Sequence, residues 1–257
     1  MRSRMVRTFS AAVLAASLFS LTTFAAPGQA HAQAMRTASA ALEARTDMRS
    51  RGISDSEGEL ALQVDGSLPI TSHIVVDASA TTLRGARRHG GSELGIEIAP
   101  RYVTSSNGWD FSAGARGHVF IDAGDLDYVE IEGSVSRTLG PAWLTLGASY
   151  APSQDAIGGD NLYLSADIGA GIPGSPLALY AGIGQTIGST NDAERAVRLR
   201  PGGDYTNWYL AVERSRLNFA IGMELSGTSI DQDTARDTRY WDRHTGTRLA
   251  GYMRVSF

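Results

Sequence analysis

The 257 residues contain no cysteine and no lysine. The first absence excludes disulfides, thiolate catalysis and cysteine-based zinc sites. The second makes all 23 basic residues arginine, a rigid and permanently charged fork suited to fixed ladders of charge. Long hydrophobic runs are equally scarce. Beyond the first 34 residues no run of eighteen apolar residues occurs, so nothing later in the chain can cross a bilayer as a helix.

What is present begins with an export signal. Arg2, Arg4 and Arg7 form a positive start, an apolar run extends from Phe9 to Ala26, and small-residue cleavage patterns follow at Ala30-His31-Ala32 and Ala32-Gln33-Ala34. The expected cut lies after Ala34, with Ala32 as the alternative, which makes residues 1–34 a cleaved signal peptide and residues 35–257 the mature chain. Removing three arginines leaves 20 basic against 27 acidic residues, a formal charge of −7. An acidic chain of this kind argues against a nucleic-acid partner. Exported and without a later membrane helix, it belongs in the periplasm, outside the cell, or in the outer membrane of a Gram-negative bacterium.

From Ala38 onward the dominant pattern has period two, the signature of strands with unlike faces. Leu249, Gly251, Met253, Val255 and Phe257 alternate with Arg248, Ala250, Tyr252, Arg254 and Ser256; Leu162 to Ile168 and Leu217 to Met223 repeat the theme. Each run is about ten residues, the length of a tilted strand crossing a bilayer. Twelve such segments begin near Ser39, Glu59, Ser72, Ser92, Gly108, Leu126, Ala142, Asp160, Pro176, Tyr205, Leu217 and Gly246.

Alternation alone also fits a soluble sandwich. The connections decide for a membrane barrel. Those after odd-numbered segments are mostly long (49–58, 84–91, 151–159, 188–204, 228–245), with a modest one at 122–125. Those after even-numbered segments are tight (69–71, 104–107, 139–141, 173–175, 214–216). Long outside and short inside is the outer-membrane pattern. The expected fold is therefore all-β, a transmembrane antiparallel up-and-down β-barrel of twelve strands. Trp109, Phe111, Tyr128, Trp143, Tyr150, Tyr205, Trp208, Tyr240 and Trp241 lie near segment ends, as interfacial girdles would.

If the apolar face meets lipid, the other face points inward and carries Glu43, Arg45, Asp47, Asp65, Asp77, Glu97, Arg101, Arg116, Glu130, Glu132, Asp167, Glu213, Glu224, Arg248 and Arg254 as candidate pore-lining residues. An arginine facing lipid near the midplane would cost about 2–4 kcal/mol. Pairing of first and last strands should bring Glu43, Arg45 and Asp47 to Arg248 and Arg254 in an ion-pair cluster.

Several motifs dissolve on inspection. Gly169-Ala170-Gly171-Ile172-Pro173-Gly174 matches a dinucleotide fingerprint, but the prolines lead into a turn and another strand rather than a helix. Gly147-Ala148-Ser149-Tyr150-Ala151 lacks the second glycine of a nucleophile elbow. Asp231, Asp233 and Asp237 fall short of a calcium loop. His73, His89, His118 and His244 show no metal-ligand spacing. No catalytic residue, metal or cofactor is expected.

Arg51-Gly52-Ile53-Ser54, followed by an acidic stretch and Glu59-Leu60-Ala61-Leu62-Gln63, resembles the N-terminal motif of the TorF-like family of outer-membrane porins, whose function is poorly defined. Tyr128 to Ile131, Leu144 to Pro152 and Asp204 to Trp208 extend the resemblance over residues 38–257. The final Phe257 resembles the assembly signal of outer-membrane barrels. Together these imply partners in outer-membrane lipid, lipopolysaccharide, the barrel-assembly machinery and small solutes. The expected function is a passive porin-like channel for small hydrophilic solutes, with loops 188–204 and 228–245 over or inside the mouth. The alternatives are a barrel enzyme of the lipid hydrolase type and a non-conducting structural or adhesive barrel.

Overall fold

The computed structural model describes residues 37–231, 239–241 and 243–257. The expected signal peptide, residues 1–34, and most of the aspartate cluster around Asp233 and Asp237 lie outside the described residues. Twelve strands close into one antiparallel barrel: β1 (Ser39–Arg45), β4 (Ala61–Pro69), β5 (Ile74–Thr82), β6 (Leu94–Ser106), β7 (Trp109–Phe120), β8 (Tyr128–Leu139), β9 (Ala142–Gln154), β10 (Gly159–Gly171), β11 (Leu177–Ile187), β12 (Tyr205–Arg216), β13 (Phe219–Thr228) and β14 (Arg248–Ser256). Two further two-residue strands, β2 (Arg49–Ser50) and β3 (Ile53–Ser54), pair only with each other. Closure joins β1 to β14, with Glu43 opposite Arg254 and Arg45 opposite Tyr252. No helix among the described residues is long and apolar enough to cross a membrane.

The alternation reads out directly in burial. On β14, Leu249 and Met253 are 60% and 51% exposed, while Ala250 and Tyr252 are 1% and 4% exposed. Ile98, Ile131, Leu146, Ile168, Ile183, Leu210 and Ile221 likewise face outward, a continuous apolar wall that only hydrocarbon can cover favourably. Strand starts fall close to the expected positions, because period two is a local property of the chain. The tight turns shift slightly. Arg214 to Arg216 continue β12, and the reversal falls at Leu217-Asn218, where Leu217 takes a left-handed φ of 56°.

The aromatic expectation divides. Trp109, Phe111, Tyr150 and Trp208 share the outward parity, whereas Tyr128 and Tyr205 are buried inside and Trp143 packs beside Tyr180 at 6.4 Å. Tyr240 is buried among the loops. The reason is steric as well as chemical: glycines on neighbouring strands clear space for inward rings. A side chain on Gly222 would collide with the Tyr252 ring, and one on Gly182 with that of Tyr209.

The long loops converge over one end of the barrel. Leu83, Phe120, Leu126, Tyr128, Ile157, Leu199 and Tyr240 form an apolar cluster there. Arg198, from the loop after β11, is buried and donates to the carbonyls of Arg88, Leu126 and Ala156, so one side chain ties together three other loops. Its guanidinium lies 5.1 Å from the Phe120 ring centroid. Loop 188–204 thus lies over the mouth, as expected. The segment that enters the mouth is a different one, residues 46–60.

Candidate functional site: the lumen and its hairpin plug

Residues 49–54 form a two-residue hairpin turning at Arg51-Gly52, with φ of 49° and 79°. Such a turn matches strand twist when both central residues adopt positive φ, and glycine supplies the second without penalty. The tip reaches the far wall. A Cβ on Gly52 would lie 2.6 Å from Thr228 and 2.8 Å from Asn207. Arg51 Nη2 donates to both oxygens of Glu130 on β8 at 2.9 and 2.7 Å, and its guanidinium carbon lies over the Tyr163 ring on β10, 4.6 Å from the centroid. Met48 and Ile53 are each 1% exposed and anchor the hairpin's apolar side.

Polar contacts hold its base. Arg49 pairs with Asp47 at 2.8 Å, Ser54 donates to Asp47 at 2.6 Å, and Asp55 accepts from Ser50 and His89 and forms an ion pair with Arg88 at 3.3 Å. Burial, with the nearby charges of Arg88 and Arg198, pushes the His89 imidazole down to about 4. The ring is therefore neutral at neutral pH, and its Nε2–H donates to Asp55 Oδ1 at 2.9 Å. Burial works to raise the Asp55 carboxyl, but the Arg88 guanidinium and the His89 bond outweigh it and hold it below the usual carboxylate range. Between hairpin and wall lies a cavity of about 50 Å³ lined by Ser50, Asp55, Arg88, His89, Glu97 and His118, room for a few waters.

Below the hairpin the wall is lined by charge. Arg116 bridges Glu97 and Glu132 at 2.8 and 3.1 Å. His118 sits between Glu97 and Glu130 at 3.2 and 3.4 Å, stacked 4.2 Å from Tyr128. Arg101 pairs with Asp77. At the seam, Arg45 binds Glu43 and Glu224, both at 2.9 Å, and Arg254 binds Glu43 and Asp65 at 3.4 and 2.7 Å. The expected cluster forms there, but without two of its members. Asp47 follows the end of β1 and serves the hairpin. Arg248 is the first residue of β14 and stands exposed at the rim, although its parity points inward.

Asp167 and Glu213 differ from the rest. Among the described residues neither has an arginine partner. Asp167 accepts from the Tyr209 hydroxyl at 3.1 Å, and Glu213 from Ser215 and, at 3.4 Å, from Tyr252. Arg45, Glu130 and Glu213 are each at most 1% exposed, so the bore in this conformation is packed with side chains rather than wide open. Among the described residues no group of three histidine or acidic side chains is arranged for a metal. The hairpin has one signal in the sequence, the Arg51-Gly52 pair suited to a tight turn, whereas period two alone assigns residues 49–58 to a connection.

A family model described as "Bacterial protein of unknown function (Gcw_chp)" matches residues 29–251. No curated protein matches in sequence. Among solved structures, the KdgM porin aligns over 85% of this chain and 99% of its own, with 8% identity and a TM-score of 0.54. The KdgM porin in complex with disordered oligogalacturonate aligns over the same shares with 9% identity and a TM-score of 0.53. The NanC porin aligns over 86% of this chain and 99% of its own, with 8% identity and a TM-score of 0.55. At these identities the likeness concerns the fold.

Proposed function

Since the chain belongs to the Gcw_chp family of bacterial proteins of unknown function and has the fold of outer-membrane porins, we propose that it is an outer-membrane channel through which small hydrophilic solutes diffuse passively, closed in its resting state by the hairpin 49–54. The observation that carries this reading is the hairpin itself, a non-covalent stopper seated in the mouth of a charge-lined bore. A structural barrel has no need of a separate segment reaching across to Glu130. The Arg51-Gly52-Ile53-Ser54 run on which the TorF-like kinship rests is this same hairpin, which supports that narrower relation as part of the proposal. The signal peptide delivers the chain to the periplasm, and the apolar wall takes it into the outer membrane.

The acidic saccharide bound by KdgM does not carry over. The strands carry Glu43, Asp65, Asp77, Glu97, Glu130, Glu132, Asp167, Glu213 and Glu224 inward against Arg45, Arg101, Arg116 and Arg254, with Arg51 added by the hairpin, an excess of carboxylates that repels polyanions. The packed bore favours one competing reading, a barrel that never conducts. Planar-bilayer recording on refolded protein separates the two. The native chain should show brief, discrete steps, and a variant with residues 48–55 replaced by a flexible linker should show longer and larger ones. Silence from both would defeat the channel reading and leave the non-conducting barrel.

A further inference from the structure

We infer that Arg51 is a tethered stand-in for the transported solute, and that Glu130 and Tyr163 form a seat for small cations bearing a guanidinium group. The inference rests on the channel reading for its purpose. Every recognising group belongs to the barrel wall: the Glu130 carboxylate on β8, the Tyr163 ring on β10, and His118 on β7 steadying Glu130 at 3.4 Å. Only the occupant comes from a loop. Glu130 is 1% exposed and, among the described residues, has no other arginine. When the hairpin leaves, a buried carboxylate loses its counter-charge, which is costly unless another cation takes the place.

The chemistry of the seat selects the type of cation. A carboxylate that accepts on both oxygens and an aromatic face beneath the cation together suit a flat, weakly hydrated guanidinium better than a compact, strongly hydrated ammonium. Arg51 fills this seat imperfectly. Its Nη1 is buried with no hydrogen-bond partner among the described residues, and its backbone takes a left-handed conformation that a branchless glycine or an asparagine would accept more readily. A free solute, unconstrained by the turn, can orient all its donors. On leaving, it meets Asp167, which shares Tyr163's strand and face and has no arginine of its own. Solute binding and hairpin seating are thus competing occupations of one site, and solute shifts the population toward the open form.

The absence of native cysteine makes the test direct. Ser50, 2% exposed in the closed hairpin, is replaced by cysteine, and its reaction with a maleimide is timed in folded barrels. L-arginine at millimolar concentration should accelerate labelling about tenfold, whereas L-citrulline, its uncharged isostere, and sodium chloride of equal ionic strength should not. In a Glu130→Gln background labelling should be fast from the start and indifferent to arginine. Tyr163→Leu, which keeps the charge pair and removes the ring, should weaken the arginine response. Equal labelling with and without arginine, or equal acceleration by citrulline or salt, would overturn the seat. Arginine-dependent labelling with silent bilayers would keep the seat and remove the channel; conducting bilayers with arginine-independent labelling would do the reverse.

Discussion

His89 connects a single imidazole to the closure of the barrel. Its folded value of about 4 lies below the ordinary 6.5, so the folded state prefers the neutral ring. The sign follows: its contribution is fully present above about 6.5 and is lost as pH falls toward 4, where protonation sets a new charge beside Arg88 and Arg198. At about 1.4 kcal/mol per unit, up to about 3 kcal/mol of loop stability disappears across that window. Asp55, held low, loses its contribution only further down, so the two effects do not cancel. The protection factors of amides in residues 49–58 and 84–91, which correct for the slower intrinsic exchange at low pH, should fall between pH 7 and 4.5, and His89→Gln should flatten the response. Unchanged protection factors in the native chain would refute the assignment.

A second residue-scale prediction concerns Arg198. Burial pushes its guanidinium down to about 10, still charged at neutral pH, and three carbonyls from separate loops depend on it. Truncation in Arg198→Ala strands those acceptors at about 1–3 kcal/mol each before water enters. The cap should become sensitive to protease while the barrel resists. Lysine cannot restore it, because one ammonium on a flexible stem does not reach three carbonyls held in a fork's geometry.

At the scale of elements, the hairpin depends on Gly52. Gly52→Ala sets a methyl against Thr228 and Asn207 and adds the penalty of a non-glycine at φ 79°, together about 3 kcal/mol. The variant should keep its barrel, since neither wall residue is displaced from its ladder, but the hairpin should stand away from its seat. Faster labelling at position 50 and longer channel openings check this; unaltered rates would show that the tip is looser than the structure has it. The strands themselves were open to reading, because alternation needs only neighbours in sequence. Parity likewise placed Glu43, Arg45, Glu130 and Asp167 inward. What parity could not supply is depth: Arg248 shares the inward phase but stands at the rim, and Tyr128, Trp143 and Tyr205 sit inward where a girdle was expected. Nor could it supply partners. Arg51 meets a carboxylate 79 residues away, a contact set by the path of a loop rather than by any local pattern.

For the whole molecule the decisive quantity is the imbalance of charge along the wall. Seven of the nine strand carboxylates named above lie against an arginine and largely cancel it; Asp167 and Glu213 stand apart and act on a passing ion uncompensated. A bore with low-dielectric walls focuses that field. Reversal potentials in a salt gradient should therefore favour cations by about fivefold in the native chain, and Asp167→Asn with Glu213→Gln should bring the ratio close to unity. The hairpin enters the same balance, because it brings Arg51 into a wall that otherwise carries four arginines between its rims. Its removal enlarges the path and also deepens the negative potential. The linker variant should then be both more conductive and more cation-selective than the native channel, whereas a simple widening would weaken selectivity. Higher conductance with weaker selectivity would mean that the lone carboxylates do not face the conducting path.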